Sequence, residues 1–370
     1  MESQTSTGPS TSEGTSTATP TTRIPYIEGR DKQPQALERV VAHIGAALAG
    51  PTADRLSAVR RPLFTGIGAS HAALAVPVER LRAAGIAAQR VLAHEICDNA
   101  KGFDTDLVVG VSQSGRSSET IAAFKALDHA ARLAVLNVTP SPLGELATLT
   151  VDLGNEPDSF ASTIGFTGTV VALDLIAAAI AGERDAAQGW SGIAEKVAAV
   201  RTHAADVIST LSERAGLCVA ADFVASGASR ASAEEGALLL REVARTPSAA
   251  SATRNYLHGE MESAGRTLHV VFGDGREIEL ARTLADAGHL TVLITSMDAA
   301  LVANLAVIRV PAATPAARVV LETVVTQELA AALAVERQVP VEGFVFANND
   351  TKQGGLDPAA FAARSSTASE

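Results

Sequence analysis

Short apolar runs closed by glycine or polar residues alternate, along most of this chain, with longer stretches of helical spacing. Leu63-Phe64-Thr65-Gly66-Ile67-Gly68 reads as a strand, and Ser70 to Ala84 carries apolar side chains at helical spacing through Leu74, Val78 and Leu81. Ile86 to Leu92 reads as a second strand and Asp106-Leu107-Val108-Val109-Gly110 as a buried third, followed by a helix from Ile121 to Leu127. The strand Leu133 to Val138, a short strand from Leu149 to Leu153 and a long apolar helix from about Gly165 to Ala181 complete the first half. Alternating strands and helices predict a parallel sheet covered on both faces.

The order repeats. Leu217 to Ala221, His269 to Phe272, Leu290 to Ile294 and Val307 to Val310 read as strands. Helices around Glu234 to Ala244, Glu277 to Ala287 and Arg318 to Glu336 separate them. The segment Glu183 to Arg214, with Ile193, Val197 and Val200 at helical spacing, joins the halves. The expected class is therefore α/β, in two similar units.

Between the third strand and its helix lies Val111-Ser112-Gln113-Ser114-Gly115-Arg116-Ser117-Ser118-Glu119-Thr120. A strand, a turn of hydroxyls and glycine, then a helix is a place to hold a phosphate. Backbone N–H groups at a helix start lack partners and sit at the positive end of its dipole, and Ser112, Ser114, Ser117 and Ser118 add hydroxyl donors. The equivalent turn in the second half, Gly273-Asp274-Gly275-Arg276-Glu277, has lost the hydroxyls and gained acid. The phosphate site is thus expected in the first half only. Gly66-Ile67-Gly68 invites a dinucleotide reading with Glu95 as the ribose acid, but His71 stands where the third glycine belongs. A tight strand-to-helix turn fits these glycines better, with Ser70 as a second phosphate ligand at the neighbouring strand end.

Composition narrows the remaining classes. The 370 residues are 47% hydrophobic and 4% aromatic, enough for two domains with Ala/Val/Leu cores. A formal net charge of −11, with 30 scattered Lys and Arg, gives no basic field for nucleic acid. Cys97 and Cys218 lie far apart with no CxxC partner, and His94 with Cys97 is a pair lacking further metal ligands. Asp274 to Glu279 lacks the twelve-residue ligand pattern of a calcium loop. Without a bilayer-length apolar run or a signal-peptide pattern, the expected location is cytoplasmic, with no membrane partner. Met1 to about Thr22 is Ser, Thr, Gly and Pro with almost nothing apolar, and reads as a disordered tail; a short polar end runs from about Ala363.

Gly66-Ile67-Gly68-Ala69-Ser70, Ser112-Gln113-Ser114-Gly115 with Ser117, and Ala161-Ser162-Thr163 resemble the sugar isomerase (SIS) domain, in the order found in the isomerase half of glucosamine-6-phosphate synthase. In the second half, Glu235-Gly236-Ala237-Leu238-Leu239-Leu240-Arg241-Glu242 resembles that enzyme's helix ending in the catalytic glutamate. The similarity runs from about Gln33 to Lys352 and has no counterpart of the glutaminase domain. The wording Ser-Gln-Ser-Gly-Arg-Ser is closer to SIS-type glucosamine-6-phosphate deaminases.

The resemblance implies two tandem SIS domains, each a flavodoxin-like three-layer unit. The expected divisions are a tail over 1–32, the phosphate-binding domain over 33–185, a domain bearing the catalytic Glu and His over 186–345, and a C-terminal tail over 346–370 carrying Lys352. It implies Ser70, Ser112, Gln113, Ser114 and Ser117 as phosphate ligands, with Gly68, Ala69, Ser162 and Glu235 around the sugar. Glu242 matches the base that moves a proton between C1 and C2, a task that suits a carboxylate held beside the substrate. Glu235, seven residues earlier, shares its helix face.

His258, in Asn255-Tyr256-Leu257-His258-Gly259-Glu260, falls where the family has its ring-opening histidine, which implies a homodimer with His258 acting across the interface. The family's Lys-His-Gly-Pro wording is altered around it. Lys352 matches the lysine that approaches the open-chain sugar. The activity implied is deamination of an amino-sugar phosphate to ketose phosphate and ammonia, with no metal, nucleotide or flavin. A sugar-phosphate isomerase, a fructosamine-phosphate deglycase and a non-enzymatic sugar-phosphate-binding regulator are the alternatives.

Overall fold

In the computed structural model, residues 23–263 and 265–356 are described. The first half contains β1 (Pro62–Gly66), β2 (Gln89–Leu92), β3 (Leu107–Ser112), β4 (Ala131–Leu136) and β5 (Leu149–Asp152). They form a parallel sheet of order β2-β1-β3-β4-β5. The second half contains β6 (Ala220–Ala225), β7 (Ser248–Ala252), β8 (Thr267–Phe272), β9 (Thr291–Thr295) and β10 (Leu305–Arg309). Its order, β7-β6-β8-β9-β10, is the first sheet's order again, and every pairing is parallel. β1, β3, β8 and β9 are buried along their whole length, which is why they read as unbroken apolar runs.

The two halves share one core. A single buried cluster contains Phe64, Val109 and Val170 from the first half and Phe223, Phe272 and Leu333 from the second. The helix Arg230–Val243 of the second half packs on the short helix Ala69–Ala73 of the first. Arg90 on β2 clamps it from the side with two hydrogen bonds to Glu234, 2.6 and 2.7 Å. The planar fork of arginine against a carboxylate fixes direction as well as distance. That helix therefore cannot turn without breaking an ion pair between the halves.

Several boundaries differ from the sequence expectation. Residues 26–32, expected in the tail, are the first turns of the helix Tyr26–Ala47; its polar outer face, including Glu28, Asp31 and Lys32, hid it. The expected strand Leu217 to Ala221 lies later, at β6. Leu217 is 68% exposed, whereas Asp222 sits inside the strand and accepts a hydrogen bond from the Tyr256 hydroxyl at 2.9 Å. The helix expected over 70–84 is broken at Leu74, where Pro77 cannot donate back to Ala73. β7, Ser-Ala-Ala-Ser-Ala, has no β-branched residue to announce it and is an edge strand. The polar stretch up to Thr22 and the end from Ala363 lie outside the described residues.

Candidate active site

β1 and β3 are neighbours and parallel, so their C-terminal ends open on the same edge of the sheet. Gly68 follows β1 at φ 59° and Gly115 follows β3 at φ 64°, a backbone region that side chains disfavour. At Gly115 space demands glycine too, since a Cβ there would lie 2.1 Å from Ser141 Oγ. These turns deliver Gly68, Ala69, Ser70, Gln113, Ser114 and Ser117 to a cleft of about 430 Å³.

Ser117 stands just before the helix Ser118–Ala126, and its hydroxyl lies 3.0 Å from Ser112 Oγ rather than on the helix's own N–H groups. Ser112 is buried behind the turn and does not line the cleft. The Gln113 side-chain Nε2 is buried with no protein partner among the described residues, an orphaned donor in the cleft wall. Hydroxyls, a free amide and the N-terminus of a helix converge as an oxyanion requires.

The opposite wall comes from the second half. Leu238 and Glu242, on the helix Arg230–Val243, line the same cleft as Ser70 and Ser117. Burial lifts the Glu242 carboxyl to a pKa of about 7, against a lowering pull from Arg245. Glu235 is fully buried behind it. Its Oε2 has no partner among the described residues, and burial, Glu242 and Asp158 hold its pKa well above the carboxylate range. Burial and the charges of Glu242 and Asp158 thus favour a neutral Glu235, while Glu242 stands ready to titrate near neutrality.

Lys352 closes the cleft from the C-terminal segment. Its Nζ donates to Ser117 Oγ at 3.2 Å, and the two residues form an isolated antiparallel bridge. Burial lowers its pKa, opposed by Glu119 and reinforced by Arg23 and Arg116. Arg116, the residue that carries the deaminase-like wording, grips this segment. Its Nη2 donates to the Gly355 carbonyl at 2.8 Å.

Not every expected residue joins the cleft. His258 follows the short helix Thr253–Tyr256, is exposed, and lines neither this cleft nor the adjoining one. Ser162 does line it, held by a 2.8 Å bond to Asp158 Oδ2. Asp158, which sequence reasoning missed, caps the apolar helix Ile164–Ile180 by accepting from Thr163 N at 2.9 Å. An acid just before Ala161-Ser162-Thr163 and an apolar run was the available signal. Arg23, also missed, stacks on Phe160 at 4.9 Å and lines the cleft. It sits at the end of a polar stretch with no pattern to mark it.

The second half's turn is filled from within. Asp274 accepts from Thr295 Oγ1 (2.7 Å), Ser296 N (2.8 Å) and Ser296 Oγ (2.6 Å), and pairs with Arg318. Glu277 accepts from Ser226 Oγ (2.9 Å) and Thr253 Oγ1 (2.7 Å). Carboxylates of the chain itself use the donors that an external anion would need. Among the described residues no group of three or more His, Cys, Asp or Glu could hold a metal, and no helix is long and apolar enough to cross a membrane.

Residues 55–179 match the SIS domain family. Over 250 residues the chain is 29% identical to a glutamine–fructose-6-phosphate aminotransferase of Pyrobaculum aerophilum, covering 64% of this chain and 39% of that protein's length. Among solved structures, the C-terminal domain of glucosamine-fructose-6-phosphate aminotransferase from Francisella tularensis superposes with a TM-score of 0.72 at 21% identity, over 85% of this chain and 97% of that one. Tagatose-6-phosphate ketose/aldose isomerase from Escherichia coli gives 0.69 at 18% identity, over 84% and 92%. Glucosamine-6-phosphate deaminase from Thermotoga maritima gives 0.65 at 18% identity, over 83% and 95%. At these identities the structural likeness speaks for the fold.

Proposed function

Starting from a chain of two tandem α/β units, the first of which matches the SIS domain family, we propose that it is an enzyme acting on an amino-sugar 6-phosphate, moving a proton between C1 and C2 and releasing the nitrogen as ammonia. The observation that carries this reading is the placement of Glu242, with a pKa of about 7, across one cleft from the Ser70 and Ser114–Ser117 turns. A base must be half ionised near working pH to take a proton and give it back.

The phosphate binds at Ser70, Gln113, Ser114 and Ser117. Holding that remote group sets C1 and C2 against Glu242, so binding energy is used for orientation. Glu242 removes the C2 proton of the open-chain aldose amine and returns it at C1. The resulting C2 imine takes up water and breaks into ketose phosphate and ammonia. Lys352, beside Ser117, offsets negative charge on the reacting oxygens. His258 would open the ring from a second subunit, since within one chain it faces solvent.

Glucosamine 6-phosphate in deuterated water provides the test. Solvent deuterium entering the C1–C2 positions, together with ammonia release, supports the deaminase reading. Exchange without ammonia points to an aldose–ketose isomerase. Tight binding with neither exchange nor release would make the protein a sugar-phosphate sensor and overturn the enzymatic reading.

A further inference from the structure

The proposed phosphate turn offers no free charge. Ser70, Gln113, Ser114 and Ser117 present hydroxyls and an amide, and Arg116, the cation inside the turn, gives its Nε and one Nη to the carbonyls of Gln353 and Gly355. A phosphate monoester carries close to two negative charges at pH 7, since its second pKa is about 6. Glu119, Asp158 and Glu242 line the same cleft, so hydroxyls alone would have to hold a dianion against like charge. Lys352, beside Ser117, supplies one opposing charge. A second is needed.

Among the described residues, Arg23 is the remaining cation in the wall. The chain on either side fixes its place. An isolated parallel bridge pairs it with Asp158, the Ile24 N–H donates to the Asp158 carbonyl at 3.2 Å, and the Tyr26 N–H donates to Glu342 Oε1 at 2.7 Å. The Arg23 guanidinium lies 4.9 Å over the Phe160 ring, and Phe160 meets Phe344 edge to face at 6.1 Å. A flat cation laid on an aromatic ring is weakly hydrated, and its edge stays available to an oxyanion. One Nη donates to the Ser159 carbonyl at 3.2 Å, and Arg23 forms no salt bridge among the described residues. The Asp158 carboxylate is turned to Ser162 and Thr163 instead. Donors of the fork therefore remain for the cleft.

We propose that Arg23 is a ligand of the substrate's phosphate, and that it makes this cleft prefer a dianionic ester to a monoanionic one. The proposal rests on the function proposed above and adds a residue to its binding site. It brings the segment ahead of the first helix into that site. Arg23 touches the phosphate and not the reacting carbons, so its loss is felt in binding and not in the chemical step.

The test compares glucosamine 6-phosphate with glucosamine 6-sulfate, which has nearly the same shape and one charge fewer. By calorimetry on Glu242→Gln, the phosphate should bind about tenfold or more tighter at pH 7.5, and the gap should narrow at pH 5, where the phosphate too carries a single charge. Equal binding of the two esters at pH 7.5 overturns the proposal, and no folding defect can hide that outcome because Arg23 is intact. Adding Arg23→Met, which keeps the stem on Phe160, should weaken the phosphate by about tenfold and shrink the gap; a gap of the same size overturns the assignment to Arg23. With Glu242 in place, Arg23→Met should raise KM for glucosamine 6-phosphate by a similar factor and leave kcat within about threefold. A loss carried by kcat alone would make Arg23 a structural residue and overturn the proposal. Binding and turnover that ignore Arg23 leave the parent reading standing, whereas absence of binding by every sugar phosphate overturns both.

Discussion

Arg116 and Gln353 hold each other in both directions. The Arg116 Nε donates to the Gln353 carbonyl at 2.8 Å, and the Gln353 N–H donates to the Arg116 carbonyl at 2.8 Å. A residue of the proposed phosphate turn is thereby joined to the segment that presents Lys352. Gly354 at φ 80° makes room for it, because a Cβ there would lie 2.9 Å from Arg116 Nη2. Replacing Arg116 by Met removes three nitrogen donors and keeps the stem. Limited proteolysis should then cut residues 344–356 several times faster than in the parent protein, and equal rates would show that other contacts hold the segment.

Glu242→Gln should lower turnover of the preferred sugar phosphate by roughly 10²–10⁴-fold, the usual contribution of a general base. Affinity for the phosphate group should stay within a few fold. In the parent protein the proposed reaction's rate should rise with pH through about 7, as the carboxyl loses its proton, and level off above. A profile flat from pH 5 to 9 would remove Glu242 from the role of base.

The same carboxyl has a stability signature of predictable sign. Its pKa is raised in the folded state, so its contribution is fully present below the unfolded value of about 4.5 and is lost as pH climbs through about 7. Glu242→Gln should therefore leave Tm unchanged near pH 4 and raise it near pH 8, by an amount corresponding to at most about 3 kcal/mol. A gain as large at pH 4 as at pH 8 would mean the effect is not ionisation.

Asp274 behaves oppositely. Burial works to raise its pKa, but hydrogen bonds from Arg318, Ser296 and Thr295 prevail and hold it well below the carboxylate range. The stabilisation is present above the unfolded pKa and is lost as pH falls below about 4. Thermal melts of Asp274→Asn should show reduced stability at pH 7 and a shallower loss on acidification. A parallel pH dependence in the two proteins would contradict this.

Gly115→Ala combines a left-handed backbone with a contact 2.1 Å from Ser141 Oγ. The backbone strain alone costs roughly 1–3 kcal/mol, worth about 2–4 °C of Tm per kcal/mol in a domain of this size. Differential scanning fluorimetry should show the drop, and inorganic phosphate should protect the variant less than the parent. An unchanged Tm would mean that the turn relaxes freely.

Much of the fold was legible because buried parallel strands are apolar on both faces. β3 and β8 announce themselves as unbroken runs between turns, whereas β6 conceals Asp222 within a buried strand and β7 has only Ser and Ala. The proposed phosphate turn was legible for a similar reason: Ser112 to Ser117 are contiguous, and the chemistry of strand end, hydroxyls and helix start is local. Contiguity does not tell which hydroxyl faces the ligand. Ser112 is buried behind the turn, and Arg116 turns to the C-terminal segment.

By itself, the sequence determined two repeated α/β units, one hydroxyl-rich turn between strand and helix and a pair of glutamates seven residues apart, because each of these is written in spacing along a short stretch of chain. Only the tertiary structure decided that the helix Arg230–Val243 lies against Ala69–Ala73, bringing Glu242 across from Ser70 over more than 150 residues of intervening chain. It alone decided that Glu235 is dry, that Glu242 titrates near 7 and that Asp274 and Glu277 occupy the second turn. A carboxylate's behaviour depends on the water removed from around it and on the donors placed beside it, and both are supplied by residues distant in the chain.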